Sequence, residues 1–184
     1  MAVITRRRFT ADDYYRMGEA GILSARDRVE LIDGEVVTMS PIGSAHSSSV
    51  ARANRALVTA VGEDAIVRPQ LPVRLSTYDE PQPDLALLKP RSDFYRARHP
   101  EPDDVLLIIE ISDSSLVYDR TVKGPLYAAR GIQEYWIADL EGAVLLRFTE
   151  PGSEGYRRVE EYRSGESIAP RLLLSCIIDA GVLL

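Results

Sequence analysis

Val105-Leu106-Leu107-Ile108-Ile109-Glu110-Ile111-Ser112 is an almost unbroken apolar run interrupted by one carboxylate. A strand with one wet face alternates apolar and polar residues. A run like this instead reads as a strand covered on both faces, lying inside a sheet with helices above and below. Period-two alternation puts Leu106, Ile108, Glu110 and Ser112 on one face and Leu107, Ile109 and Ile111 on the other. Glu110 thus points from a sheet face near the strand's end, where an unpaired carboxylate is very costly, and it should have a cation.

Upstream, Pro83-Asp84 leads into Leu85-Ala86-Leu87-Leu88, a second short buried strand. Lys89 to Asp104, with Pro90, Pro100 and Pro102, is an irregular loop carrying Lys89, Arg91, Arg96 and Arg98. Before Pro83, IVRPQLPVRLS keeps Val67, Leu71, Val73 and Leu75 apolar but is broken by Pro69 and Pro72, which suits an edge or bulged strand. From Ser44 to Val61, apolar residues recur every three or four positions until Gly62, the pattern of an amphipathic helix. Val29 to Ile32 and Val36 to Met39, joined by Asp33-Gly34, form a hairpin. Thr10 with Asp13 caps a short helix that stops at Gly18 or Gly21.

Downstream, LVYDRTVKGPLYAARG reads as helix, with Pro125 kinking it or starting a new turn. EYWIAD and VLLRF are strands separated by Glu141-Gly142, and YRRVEEYR suits another. The expected fold is therefore α/β, a mixed β-sheet flanked by helices, with an N-terminal helix and β-hairpin.

The 184 residues, 45% hydrophobic and 27% charged, suit a single domain over residues 1–184. Lys plus Arg total 22 against 28 for Asp plus Glu, a net charge of -6, which excludes a globally basic nucleic-acid binder and leaves only a local patch. Cys176 is the only cysteine, so an intrachain disulfide and a cysteine-based zinc site are excluded, and a reducing cytoplasm fits best. MAVITRRRFT runs into the acidic ADDYYRMGEA where a signal peptide needs an apolar core. No apolar stretch approaches the ~18 residues of a membrane span.

Nucleophilic-serine, P-loop, dinucleotide-binding and HExxH motifs are absent, which leaves carboxylates in odd places. Asp84 and Glu110, at the ends of two apolar strands, could converge on a metal. Lys123 lies four residues beyond Asp119 and four before Tyr127, so the three share a face of a regular helix. A lysine beside a metal can orient a water and offset charge developing on a phosphate. Oxygen donors favour Mg²⁺ or Mn²⁺ over zinc. Pro102-Asp103 is a decoy, since an extended strand from Asp103 to Glu110 separates them by roughly 23 Å.

Simpler roles compete. Glu110 can pair with an arginine, Lys123 can be solvated, and Asp119 reads as an intrahelical partner or helix N-terminal charge outside the site. His46, at the start of its helix, reads as a surface or capping histidine, with nucleic-acid contact the alternative; His99 is a loop residue. Lys89, Arg91, Arg96 and Arg98 either track a phosphate backbone, with Phe94 and Tyr95 stacking on bases, or form a plain solvated loop. Arg6, Arg7 and Arg8 read as a disordered arm. Tyr135 and Trp136 suit a core or dimer interface better than base stacking, and Cys176 an inert buried position.

Pro83-Asp84, Glu110-Ile111-Ser112 and Lys123 together resemble the active-site pattern of the PD-(D/E)XK, restriction-endonuclease-like superfamily. Ser112 stands where that lysine is usual, and Lys123 is placed as in branches that carry it on the following helix. ELIDGEVV, PDLALL, IIEISDSS, YDRTVKGPLYAARGI and EYWIADLE are similar to the Uma-type restriction endonuclease family, from about Phe9 to Leu145. The resemblance implies a restriction-endonuclease-like fold, Mg²⁺ or Mn²⁺ as cofactor, and DNA phosphodiester hydrolysis. By it, Asp84, Glu110 and the Ile111 carbonyl bind metal, Lys123 positions the attacking water, and Glu30 adds an acidic residue to the site. The expectation is a metal-dependent DNA endonuclease, acting as a homodimer with one site per strand. Its rivals are a catalytically inactive nucleic-acid-binding protein and a dimeric regulatory protein on the same fold.

Overall fold

The computed structural model describes residues 6–24 and 26–184; residues 1–5, the start of the stretch read against a signal peptide, lie outside them. Helix α1 (Ala11–Glu19) opens with a capping box, the Thr10 hydroxyl accepting from the Asp13 amide at 3.0 Å while Asp13 accepts from the Thr10 amide at 3.1 Å. Strands β1 (Val29–Ile32) and β2 (Glu35–Thr38) form the expected hairpin, pairing Ile32 with Glu35. Its turn needs positive φ at both central residues, and Asp33 and Gly34 supply 51° and 74°.

A Cβ at Gly34 meets the Arg8 Cβ at 2.6 Å, so Gly34→Ala is expected to cost about 1–3 kcal/mol through strain and crowding, read by urea denaturation. Arg8 itself is no disordered arm: its side chain donates to the Asp33 carbonyl at 2.9 Å and lies over the Tyr78 ring.

Helix α2 (Ser44–Val61) matches its apolar pattern and ends at Gly62. It is followed by β3 (Ile66–Pro69), β4 (Leu85–Leu88), β5 (Val105–Ser112), β6 (Glu134–Asp139), β7 (Val144–Gly152) and β8 (Gly155–Tyr162), which form one sheet in the order β3-β4-β5-β6-β7-β8. Only β5 and β6 run parallel, and the segment after β5 crosses over between them. Strand β3 is an edge strand, as its prolines require, and stops at Pro69. A small β9 (Ser167–Ile168) and β10 (Ile178–Asp179) pair separately near the C-terminus, an arrangement the sequence pattern does not announce.

Two cores cover the central sheet. Ala53, Leu57 and Val61 of α2 pack with Leu85, Leu87, Leu107, Ile109, Ile111 and Trp136, and Cys176 lies buried among them. Tyr127 and Ile132 pack with Ala86, Leu88, Ile108, Tyr135 and Ile137 on the opposite face. Tyr135 and Trp136 are thus core residues. The alternation expected for β5 holds from Leu107 onward, but Leu106 joins the α2 face. The cause is a register shift against β4, where Leu87 pairs with Leu107 but Leu88 with Val105.

Candidate active site

Antiparallel pairing of β4 with β5 sets Leu85 opposite Ile109, so Asp84 and Glu110 meet where the two strands end. The Asp84 amide donates to Glu110 Oε2 at 3.1 Å, and Asp84 Oδ2 accepts from the Ile111 amide at 2.9 Å. These exchanges fix both carboxyl groups against the backbone of the neighbouring strand.

The segment leading to Lys123 is not a regular helix. After α3 (Leu116–Tyr118) comes a π turn over Asp119–Lys123, in which the Gly124 amide reaches the Asp119 carbonyl, and then α4 (Gly124–Ala129) with Pro125 in its first turn. The proline has no amide to continue the ladder, which is where the helix widens. Asp119, Lys123 and Tyr127 still share one buried face.

Lys123 Nζ lies 3.0 Å from Glu110 Oε1 and 3.3 Å from Glu30 Oε2, and the Tyr127 hydroxyl donates to Glu110 Oε1 at 3.0 Å. Glu30 reaches this point from β1 and is 1% exposed; its other contact is the Gln82 amide, 3.2 Å from Oε2. Lys123 is therefore not a solvated helix residue, and Glu110 has lysine rather than arginine as its cation.

Two residues sit differently from expectation. Asp119 faces the site, accepting from the Ser112 hydroxyl at 2.7 Å and the Ser115 hydroxyl at 2.5 Å, so the serine at the usual lysine position is tied down by a carboxylate. His46 is not a surface or capping histidine: its Nε2 lies 2.9 Å from Asp84 Oδ1 with both side chains largely buried. His99 does lie in the loop, against the Tyr15 hydroxyl at 2.8 Å.

Four carboxyl groups, Glu30, Asp84, Glu110 and Asp119, thus surround one lysine and one histidine. Burial pushes the Glu110 carboxyl up to about 8; Lys123 opposes this, while Asp84, Asp119 and Glu30 add to it. Burial works against the Lys123 ammonium, but Glu110, Glu30 and Asp119 outweigh it and hold the group protonated. The hydrogen bond to Asp84 raises His46 despite its burial.

The site opens into a cleft of about 680 Å³, lined by His46, Gln70, Asp84, Glu110, Tyr118 and Lys123 and by Arg28, Met39 and Gly43 at its sides. The Tyr118 hydroxyl is buried with no hydrogen-bond partner among the described residues, and burial raises it to about 12.

Lys89, Arg91, Arg96 and Arg98 are not in the cleft wall. Arg91 is paired with Asp93 at 2.8 Å and Arg98 with Asp104 at 2.7 Å. Tyr95 is buried and donates to the Lys89 carbonyl, so it presents no face for a base; Phe94 is exposed.

Among the described residues no three His, Cys, Asp or Glu side chains form a ready metal cage. The residues nevertheless fit a hard divalent cation that keeps several waters: two converging carboxylates, a surplus of negative charge, and an orphaned hydroxyl beside them. They do not fit a closed structural zinc site.

The chain matches the profile of the Uma2 family, described as "Putative restriction endonuclease", over residues 11–180. Among solved structures it is similar to a "putative nuclease belonging to DUF820" from Anabaena variabilis, with a TM-score of 0.70 and 13% identity over 95% of this chain and 97% of that one. That likeness bears on the fold. No curated protein matches the chain. Among the described residues no helix is long and apolar enough to cross a membrane.

Proposed function

The chain belongs to the Uma2 family, and on that premise we propose that it is a metal-dependent DNA endonuclease, acting as a single domain over residues 1–184, that hydrolyses phosphodiester bonds in the cleft containing Asp84, Glu110 and Lys123. The observation that carries this reading is the contact of Lys123 Nζ with Glu110 Oε1 at 3.0 Å, beside Asp84. It supports a lysine delivered from the following helix in place of Ser112.

Asp84, Glu110 and the Ile111 carbonyl are the groups to hold Mg²⁺ or Mn²⁺. Such an ion, when bound, polarises a phosphate oxygen and lowers the pKa of a coordinated water. The chain's own residues do the rest. Lys123, held between Glu110 and Glu30, orients the attacking water and offsets negative charge as the phosphorus gains a fifth oxygen. Tyr127 holds Glu110 so that the lysine does not pull it out of line. Asp119 fixes Ser112 and Ser115 at the start of the crossover and so sets the entry angle of the segment bearing Lys123. A homodimer with two-fold symmetry presents one such site to each strand.

The reading is tested by incubating the protein with supercoiled plasmid and short single-stranded DNA in Mg²⁺, Mn²⁺ or EDTA. Nicking or cutting with metal and none in EDTA is the expected result. DNA retention that salt weakens, without cleavage under any condition, contradicts it in favour of a binding protein.

A further inference from the structure

We propose that His46 is a metal ligand, completing with Asp84 a mixed nitrogen–oxygen donor set that prefers Mn²⁺ and later transition ions to Mg²⁺. The proposal rests on the metal-dependent reading above and adds a residue to it. Nε2 of His46 lies 2.9 Å from Asp84 Oδ1, in the cleft that Glu110 and Lys123 also line. His46 thus stands against an oxygen of the carboxylate that is proposed above to hold the cation.

The spacing suits a shared ion. Donor atoms at ~2.1 Å from an octahedral cation and at right angles to each other are about 3.0 Å apart. The same 2.9 Å that makes a hydrogen bond without metal therefore leaves two adjacent donors with metal, once Nε2 has given up its proton. Lys123 and Tyr127 hold Glu110 Oε1 and the Asp84 amide holds Oε2, so Glu110 alone offers a crowded carboxylate. A donor from α2 supplies what the sheet side lacks. His46 is carried in the first turn of α2, whose far end is packed on the core through Leu57 and Val61, and this holds the ring over the end of β4.

Imidazole is a softer donor than carboxylate, carbonyl or water and adds little for Mg²⁺. His46→Ala is expected to weaken Mn²⁺ binding by about tenfold or more and Mg²⁺ binding by less than about threefold.

The test is Mn²⁺ bound to the full chain, followed by titration calorimetry and by pulsed electron paramagnetic resonance for coupling of the ion to nitrogen. Wild type, His46→Ala, His46→Gln and Asp84→Asn are compared, with circular dichroism checking their folds. Nitrogen coupling in wild type, lost in both His46 variants while Mn²⁺ still binds, is the expected result. His46→Gln can still donate to Asp84, so it separates ligation from support of the carboxylate.

Mn²⁺ that binds wild type and is lost in Asp84→Asn, but shows no nitrogen coupling, overturns the His46 assignment and leaves the metal site standing. Coupling that persists in both His46 variants does the same. If wild type binds no Mn²⁺ at all, both the assignment and the metal-dependent reading fall.

Discussion

Lys123→Met is expected to abolish DNA cleavage and to lower the unfolding free energy by about 3 kcal/mol, measured by urea denaturation near neutral pH. Lys123 is 6% exposed and is the cation within reach of both Glu110 and Glu30. Stripping one partner from a buried ion pair costs ~3–5 kcal/mol because the remaining charge has neither water nor counterion. The low end applies because Glu110, pushed up to about 8 even beside Lys123, is largely protonated near neutral pH, so the loss falls chiefly on Glu30. A loss below about 1 kcal/mol would mean that water reaches the carboxylates and that the cluster is not the dry, fixed site described above.

Glu110→Gln is expected to separate activity from stability. Cleavage falls at least about a thousandfold, the scale on which removing an aligned transition-state contact acts. Stability at pH 8 changes by less than about 1 kcal/mol, because removing a carboxylate from a cluster with excess negative charge offsets the hydrogen bond lost from the Asp84 amide. With the amide oxygen at the Oε1 position the side chain still accepts from Tyr127 and Lys123, and Lys123 keeps Glu30, while the amide nitrogen at the Oε2 position gives up the bond from the Asp84 amide.

The pH dependence gives a sharper reading. A carboxyl raised from 4.5 to about 8 by burial is protonated in the folded chain while already ionised in the unfolded one. The folded state binds more protons across that window, so this group's contribution to stability falls as pH rises from about 4.5 to 8. Lys123 is protonated in both states there and adds no slope. Denaturation midpoints from pH 5 to 8 should therefore decline more steeply in wild type than in Glu110→Gln; parallel curves contradict the raised carboxyl.

The meeting of Asp84 with Glu110 was legible in the sequence because each ends an apolar strand, and neighbouring strands of such a sheet place their ends together. Lys123 was legible through its spacing from Asp119 and Tyr127, although the intervening turn is π rather than α and only Pro125 hinted at it. His46 was not, since a histidine in the first turn of a helix has no periodic signature, and only the packing of α2 on the sheet brings it to Asp84. Asp119 looked like a helix charge because its partners, Ser112 and Ser115, belong to the strand end and turn before it. The bulge that moves Leu106 to the other face is a property of pairing between β4 and β5, which the apolar run on its own does not encode. The separate β9–β10 pair has the same origin in tertiary contact.

The measurement that bears most directly on the central claim is the single-turnover cleavage rate of plasmid DNA by purified wild type and Asp84→Ala in Mn²⁺, prepared identically and matched for folding. Asp84→Ala leaves the Ile111 amide and His46 without their acceptor, so circular dichroism and urea denaturation check that the variant is folded before rates are compared. Cleavage by wild type, a loss of at least about a thousandfold in the variant, and none in EDTA are the expected results. Equal rates in the two proteins would place the activity elsewhere and contradict the assignment of this cleft as the active site.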